Sequence, residues 1–502
     1  VHRRSWIIPA LVVLASGCAA VDPGVTATRS TRDSGGVFGG DPADPDDPTG
    51  SSVPRDYPLI EGIVDFGERG PVHPEYDGYL TAAFSDIQDY LASAYPEVYG
   101  EEFVPLEGGI YAGYPDRQAP IPACTREGGN AAYEDIQAGT AYYCPLGDYM
   151  AYDDDDSLPA LVDSLGREAV AVALAHEFGH AVQARAGEFD QPVVLMEQQA
   201  DCFAGAWVAH VAAGASDVIK FDDRGIRAGL VAMLSIADPI QTDGSSPLLN
   251  ENAHGTGFDR VGAFQDGFLG GAVRCQSFFT EGRLDQLIDL PFQVDDPNAG
   301  NLPLRDPGPI DPEFGPIDIV TLIPLGLDEF WVALLDANEI AFTPPTWREF
   351  APEGPYPSCS GISAEQWANG VLYCADDNTI YWDEGYAALL AGPEGFGDMA
   401  VGYLFSNAYS EAVQVALGST STGETRALLN GCLTGVWAAW TLPTNAEQSL
   451  VLSAGDLDEA LITAIIRSDP TTDTDVNGSA FEATDAFRAG VLGGVEACQA
   501  RA

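Results

Sequence analysis

The chain has 502 residues and sets 76 Asp and Glu against 22 Lys and Arg, for a net charge of −54. So acidic a chain repels nucleic acid and anionic lipid, which excludes DNA binding, RNA binding and polybasic docking to a membrane. Its length suits two domains with linkers, and its 46% hydrophobic content is ample for a buried core.

The first residues read VHRRSWIIPALVVLASGCAA. Arg3 and Arg4 precede an apolar run too short to span a bilayer, the form of a secretory signal peptide over residues 1–18. The Arg pair is also a weak sign of twin-arginine export. Ala15-Ser16-Gly17-Cys18 resembles the lipobox of bacterial lipoproteins. That resemblance implies a lipid on Cys18, anchoring an exported protein to the cell membrane; a secreted protein is the alternative. With Cys18 lipidated, eight cysteines remain, and an even number in an exported chain points to disulfides.

Residues 19–57 form a disordered linker by composition, with GGDPADPDDPTGSSVP at 39–54. A second linker over 286–316 ends in a Pro-, Asp- and Gly-rich stretch. These delimit one domain at 58–285 and another at 317–502. Within the first, residues 142–153 are aromatic-rich and predict β-structure. A solvated loop follows at Asp153–Asp156, in preference to a calcium site. Residues 164–186 predict a helix with Ser164 as N-cap and Gly187 as its stop. A second helix is expected over 195–213, ending at Gly214, and a third over 257–275. The stretch 215–253 reads as loop and short helix.

The second domain repeats the first. YYCPLGDYMAYD (142–153) matches LYCADDNTIYWD (372–383), and DCFAGAWVA (201–209) matches GCLTGVWAA (431–439). HGTGFDRVGAFQDGFLGGAVRC (254–275) lies over NGSAFEATDAFRAGVLGGVEAC (477–498) without a gap. Four cysteines recur in order, so the pattern reads as a tandem duplication. If each unit closes its own pairs, the bridges are Cys124–Cys144, Cys202–Cys275, Cys359–Cys374 and Cys432–Cys498.

His176-Glu177-Phe178-Gly179-His180 is HExxH on a predicted helix. Its i,i+4 spacing places both imidazoles on one face, where they can grip Zn²⁺. Glu177 stands beside them to take a proton from water. On the next helix Glu197 and Asp201 share a face. Glu197 supplies the third ligand that a catalytic zinc needs. Asp201 accepts a hydrogen bond from a ligand histidine and orients its ring.

HEFGHAVQ, EQQADCFAGAW and AHGTGFDR…FQDG…GG….C, in that order, resemble the neutral zinc metallopeptidases of bacteria, over roughly residues 120–275. The resemblance implies an α+β, zincin-like unit, mostly helical with a small sheet, and a gluzincin ligand set. It supports Glu197 as ligand and Glu177 as catalytic base. It also matches His254 to the histidine of the HG[ST] segment, implying a hydrogen bond to the developing oxyanion; a packing or capping role is the other reading. His210 is expected to be structural, and His73 carries no signal.

Set in register, the second unit lacks this chemistry. Asn407 faces His176, Ala408 faces Glu177 and Glu411 faces His180. Ala427 faces Glu197, Gly431 faces Asp201 and Asn477 faces His254. The cysteines, Gln183/Gln414, Gly205/Gly435 and Trp207/Trp437 persist. The expectation is an exported zinc peptidase acting on a peptide or protein, with an inactive repeat whose partner is unknown. The alternative is a non-catalytic cell-surface binding or scaffold lipoprotein with a structural zinc.

The charge makes a direct prediction. Raising NaCl to about 1 M, where the Debye length falls to about 3 Å, screens self-repulsion. The melting temperature is expected to rise with salt, which a calorimetric scan at low and high NaCl will show.

Overall fold

The computed structural model describes residues 57–501, apart from 239–252, 281, 289–299, 307, 309–315, 369, 394, 444–448, 454 and 469–477. The expected signal peptide, Cys18, most of the first linker and Asn477 lie outside the described residues, and the 286–316 linker is described only in part. The chain divides into two compact units, one formed by 57–238 with 253–287 and the other beginning at 288. Both are α+β. No described helix is long and apolar enough to cross a membrane.

The first unit opens with α1 (Asp77–Tyr99) and builds a three-stranded sheet from β1 (Gly109–Gly113), β2 (Ala141–Cys144) and β3 (Tyr149–Asp153), with the short α2 (Tyr133–Gly139) before β2. Central β3 pairs parallel to β1 and antiparallel to β2, with Tyr143 opposite Met150, so β2 is an edge strand. On one face Tyr149 and Ala151 pack with Ile121, Ile136 and Tyr142. On the other, Tyr152 meets Phe84 of α1, which also touches Phe178. Both faces are covered, which is why the strands carry aromatic residues at consecutive positions.

The helices α3 (Ser157–Leu165), α4 (Arg167–Ala186), α5 (Val193–Ala212), α6 (Asp223–Ser235) and α7 (Gly257–Gln276) complete the unit. The expected helix over 164–186 is broken by Gly166 at φ 87°, a backbone that L side chains avoid. Ser164 is therefore no N-cap; it ends α3, its hydroxyl donating to Ala160 O at 2.8 Å. Gly187 does stop α4, at φ 72°. Within 215–253, expected as loop and short helix, the helix is α6, capped by Asp222 accepting from Gly225 N at 3.1 Å. Gly225 and Gly229 lower its helix propensity, so packing has to hold it.

The acidic run at 153–156 is only half solvated. Asp153 is buried and accepts from Ser157 N (2.7 Å) and Tyr133 Oη (2.8 Å). Asp154 is buried and paired with Arg69 at 2.6 Å. Only Asp155 and Asp156 are exposed.

Helices α5 and α7 cross at van der Waals range. A Cβ on Gly205 would collide with Phe264 O, and one on Gly267 with Cys202 O. The Cys202–Cys275 bridge ties the same helices, and Cys124–Cys144 ties the preceding loop to β2.

The second unit contains α8 (Ile319–Ala337), β4 (Thr346–Phe350), α9 (Ala364–Trp367), β5 (Val371–Cys374), β6 (Thr379–Asp383), α10 (Glu384–Leu390), α11 (Asp398–Ala416), α12 (Gly423–Trp440), α13 (Asp456–Arg467) and α14 (Ala480–Gln499). Its sheet is ordered β4-β6-β5, again with one parallel and one antiparallel pair. Gly435 faces Phe487 O and Gly490 faces Cys432 O as closely as their first-unit counterparts do. Both final helices kink at a left-handed glycine, Gly271 (φ 66°) and Gly494 (φ 60°). The bridges are Cys359–Cys374 and Cys432–Cys498, so all four pairings are as expected.

Because Gly205 has no room for a methyl group, Gly205→Ala is expected to destabilise the first unit by about 2 kcal/mol through overpacking. Urea unfolding of the variant against the parent measures it.

Candidate metal centre

Helix α4 carries both histidines, and they are buried: His176 is 1% exposed and His180 6%. Alanines and Gly179 surround them and let the neighbouring helix come close. A Cβ on Gly179 would stand 2.5 Å from Ala200 Cα. This approach brings Glu197, 5% exposed, to the imidazoles. Its Oε2 lies 3.2 Å from His176 Nε2 and its Oε1 3.4 Å from His180 Nε2.

The donors on the far side of each ring are fixed. His176 Nδ1 meets Asp201 Oδ1 at 2.7 Å, and His180 Nδ1 meets Gln183 Oε1 at 2.9 Å. With Nδ1–H donating to an oxygen, each Nε2 keeps its lone pair for a metal. Asp201 Oδ1 also accepts from Arg260 Nη2 at 2.8 Å, while Arg260 Nη1 donates to Ile236 O at 2.8 Å. Gln183 Nε2 donates to Met196 O at 2.6 Å, joining α4 to the start of α5.

These residues fit zinc. Donors about 2.0–2.1 Å from a tetrahedral ion stand about 3.3 Å apart, close to both separations above. His176 Nε2 and Glu197 Oε2 are also buried without a hydrogen-bond partner of good geometry. Two imidazole nitrogens and one carboxylate are borderline donors that suit zinc.

Without an ion, the three groups hold one another by charge. Burial opposes the imidazolium of His176, but Asp201 and Glu197 outweigh it and push its pKa up to about 10. Burial opposes His180 too, yet Glu197 raises it. Burial works against a charged Glu197, and His180 and His176 still hold it well below the usual carboxylate range.

Glu177 is 3% exposed, and its Oε2 accepts from Tyr143 N on edge strand β2 at 2.8 Å. Beside it, Ala141, Leu158, Leu161, Val170, Leu174 and Ile236 line a small apolar pocket that has His176 and Glu177 in its wall.

Residues 128–278 match the family model described as "Putative neutral zinc metallopeptidase". The matched segment holds every residue named in this centre and ends before the second unit. The description implies zinc and points to peptide hydrolysis. No curated protein and no solved structure matches the chain.

The other sequence-selected histidines lie in separate settings. His254 is tied to Asp238, with Nδ1 3.0 Å from Oδ1 and its backbone N 2.8 Å from Oδ2. His210 stacks obliquely on Tyr90. His73 does more than expected: its carbonyl accepts from Asp77 N at 2.8 Å at the start of α1, and its Nε2 meets Asp154 O at 3.0 Å. Arg260, Gln183 and Tyr143 had no role assigned from sequence. Arg260 stands in the HGTGFDR motif and Gln183 recurs as Gln414, the signals that could have marked them.

In the second unit Glu411 binds Arg426 Nε (2.6 Å) and Asn430 Nδ2 (2.9 Å). Asn407 and Gly431 line a small pocket with Tyr403 and Arg467. Among the described residues, no metal-capable cluster includes positions 407, 411 or 427. Gln414 Nε2 donates to Arg426 O at 3.0 Å, the counterpart of the Gln183–Met196 bond.

Zinc must displace the proton that His176 carries below about pH 10. Zinc affinity is therefore expected to weaken as the pH is lowered through and below neutrality. Calorimetry in buffers of different ionisation enthalpy should register proton release on zinc binding at about pH 7.5.

Proposed function

We propose that the first unit is a zinc-dependent peptidase, with His176, His180 and Glu197 as ligands and Glu177 as general base. The observation that carries this reading is the convergence of both Nε2 atoms on one carboxylate at 3.2 and 3.4 Å, with Glu177 adjacent in sequence to His176. Zinc held there supplies a Lewis acid that acidifies water and polarises a carbonyl. Glu177 takes the proton of the attacking water and passes it to the leaving amine. Tyr143 N–H fixes that carboxylate at the sheet edge. Asp201, braced by Arg260, keeps His176 Nε2 turned inward, and Gln183 does the same for His180.

A peptide adding as a strand along the outer edge of β2 would run past Glu177. We assign His254, oriented by Asp238, to the developing oxyanion. The second unit is read as a degenerate copy: it repeats the sheet order, the glycine crossing and the bridges, and it replaces the ligands. Export and a lipid anchor on Cys18 are supported by the signal-like first residues, and export also by the four disulfides.

One observation favours a non-catalytic alternative, a surface scaffold with structural zinc: the ligands and Glu177 are all 6% exposed or less. The two readings separate by activity. Glu177→Gln is expected to keep stoichiometric zinc and lose peptide cleavage by about 10²-fold or more. Chelation should abolish the parent's cleavage and added zinc restore it. Full cleavage by Glu177→Gln would refute the assignment of the base, and absence of zinc-dependent cleavage in the parent would favour the scaffold.

A further inference from the structure

The second unit gathers three carboxyl groups far in sequence from the histidines. Asp398 is the first residue of α11, Asp456 the first of α13, and Glu459 lies one turn further on. One oxygen from each lies within 4.8 Å of the others. Asp398 is 6% exposed and Asp456 4%, while Glu459 is half-buried and reaches toward the surface beside Asn301. Among the described residues, the ion pairs of this unit join Arg305, Arg426 and Arg501 to other acids, so no side-chain cation balances the three.

Neutral donors hold the cluster in place. Leu302 N donates to Asp398 Oδ2 at 2.7 Å, and Met399 N to Glu459 Oε2 at 2.9 Å. Asn301 Nδ2 donates to Glu459 Oε1 at 3.0 Å, and Ser453 N to Asp456 Oδ2 at 2.7 Å. Asp398 Oδ1 is different: it is shut off from solvent, no amide or hydroxyl donates to it, and the side-chain group that reaches Asp398 is the carboxyl of Glu459. A buried carboxylate oxygen with neither donor nor counter-charge is costly, and buried charges in folded proteins are paired or coordinate metal.

We propose that Asp398, Asp456 and Glu459 bind a calcium ion. The donors are all carboxylate oxygens, the hard ligands that calcium takes and that zinc, with its preference for nitrogen and sulfur, does not require. Each carboxylate can accept its hydrogen bond and still offer a lone pair to the ion. Calcium also tolerates the irregular geometry that three side chains and solvent provide, where magnesium demands a near-ideal octahedron. The half-buried Glu459 gives the ion a way in. Bound there, it would clip the start of α11, the start of α13 and the segment at 301–302 together. The site belongs to the second unit alone, because the position in register with Asp398 is Arg167.

The test is equilibrium dialysis of the full-length, zinc-loaded protein with radioactive calcium after removal of residual calcium. About one calcium per chain is expected at about 1 mM, the range of extracellular modules. Asp398→Asn and Glu459→Gln should each weaken binding about tenfold or more. Calcium should raise the parent's melting temperature and leave that of Asp398→Asn unchanged. Without calcium, Asp398→Asn should melt at or above the parent, since one buried like charge is gone. If that variant does not fold, Glu459→Gln at the rim carries the test. No uptake by the folded parent at about 10 mM, or uptake unchanged in both variants, would mean the carboxyls share protons instead and would overturn the proposal.

Discussion

Where α4 passes α5, the chain has no room for a side chain on Gly179, and Ala200 opposes it with the smallest side chain available. The meeting of the two helices' side chains in the metal centre depends on that contact. It carries the Glu197 carboxylate to the two Nε2 atoms and Asp201 to His176 Nδ1. Close packing turns two sequence-local patterns, an i,i+4 histidine pair and an i,i+4 acid pair, into one centre. A bulkier residue at either position would separate the ligands without touching any of them.

The same packing explains why the surrounding polar groups are placed so fully. Buried imidazoles and carboxylates are costly unless each polar atom is answered. Asp201 receives both His176 and Arg260, Arg260 finds the carbonyl of Ile236, and Gln183 bridges His180 to Met196. Among the buried atoms left without a partner, His176 Nε2 and Glu197 Oε2 face the place where an ion fits, while Asp201 Oδ2 and Arg260 Nε lie behind them.

The two units separate framework from chemistry. Gln183 and Gln414 both reach the carbonyl at the head of the next helix, which explains why the glutamine persists where the histidines do not. Gly205 and Gly435, and Gly267 and Gly490, persist because two helices touch through them. At the positions in register with the ligands the second unit has a different network, with Glu411 bound to Arg426 and Asn430. Its buried carboxyl cluster lies at the starts of α11 and α13.

Much of this was legible in the chain itself. HExxH names its own spacing, because a helix rise and turn are fixed by the backbone and need no partner. The pairing of eight cysteines was legible because the repeat showed which four belong together. Periodicity and stop residues placed α5, α7 and the end of α4 within a residue or two. Tertiary structure decided the rest. Gly166 breaks a helix that composition would continue, and α6 survives its glycines only by packing. Asp153 and Asp154 look like a solvated run, yet they are buried because donors distant in sequence (Tyr133, Tyr76 and Arg69) come to meet them. Arg260 and Tyr143 join the centre across long loops, and no local pattern encodes a contact whose two halves are brought together only by the fold.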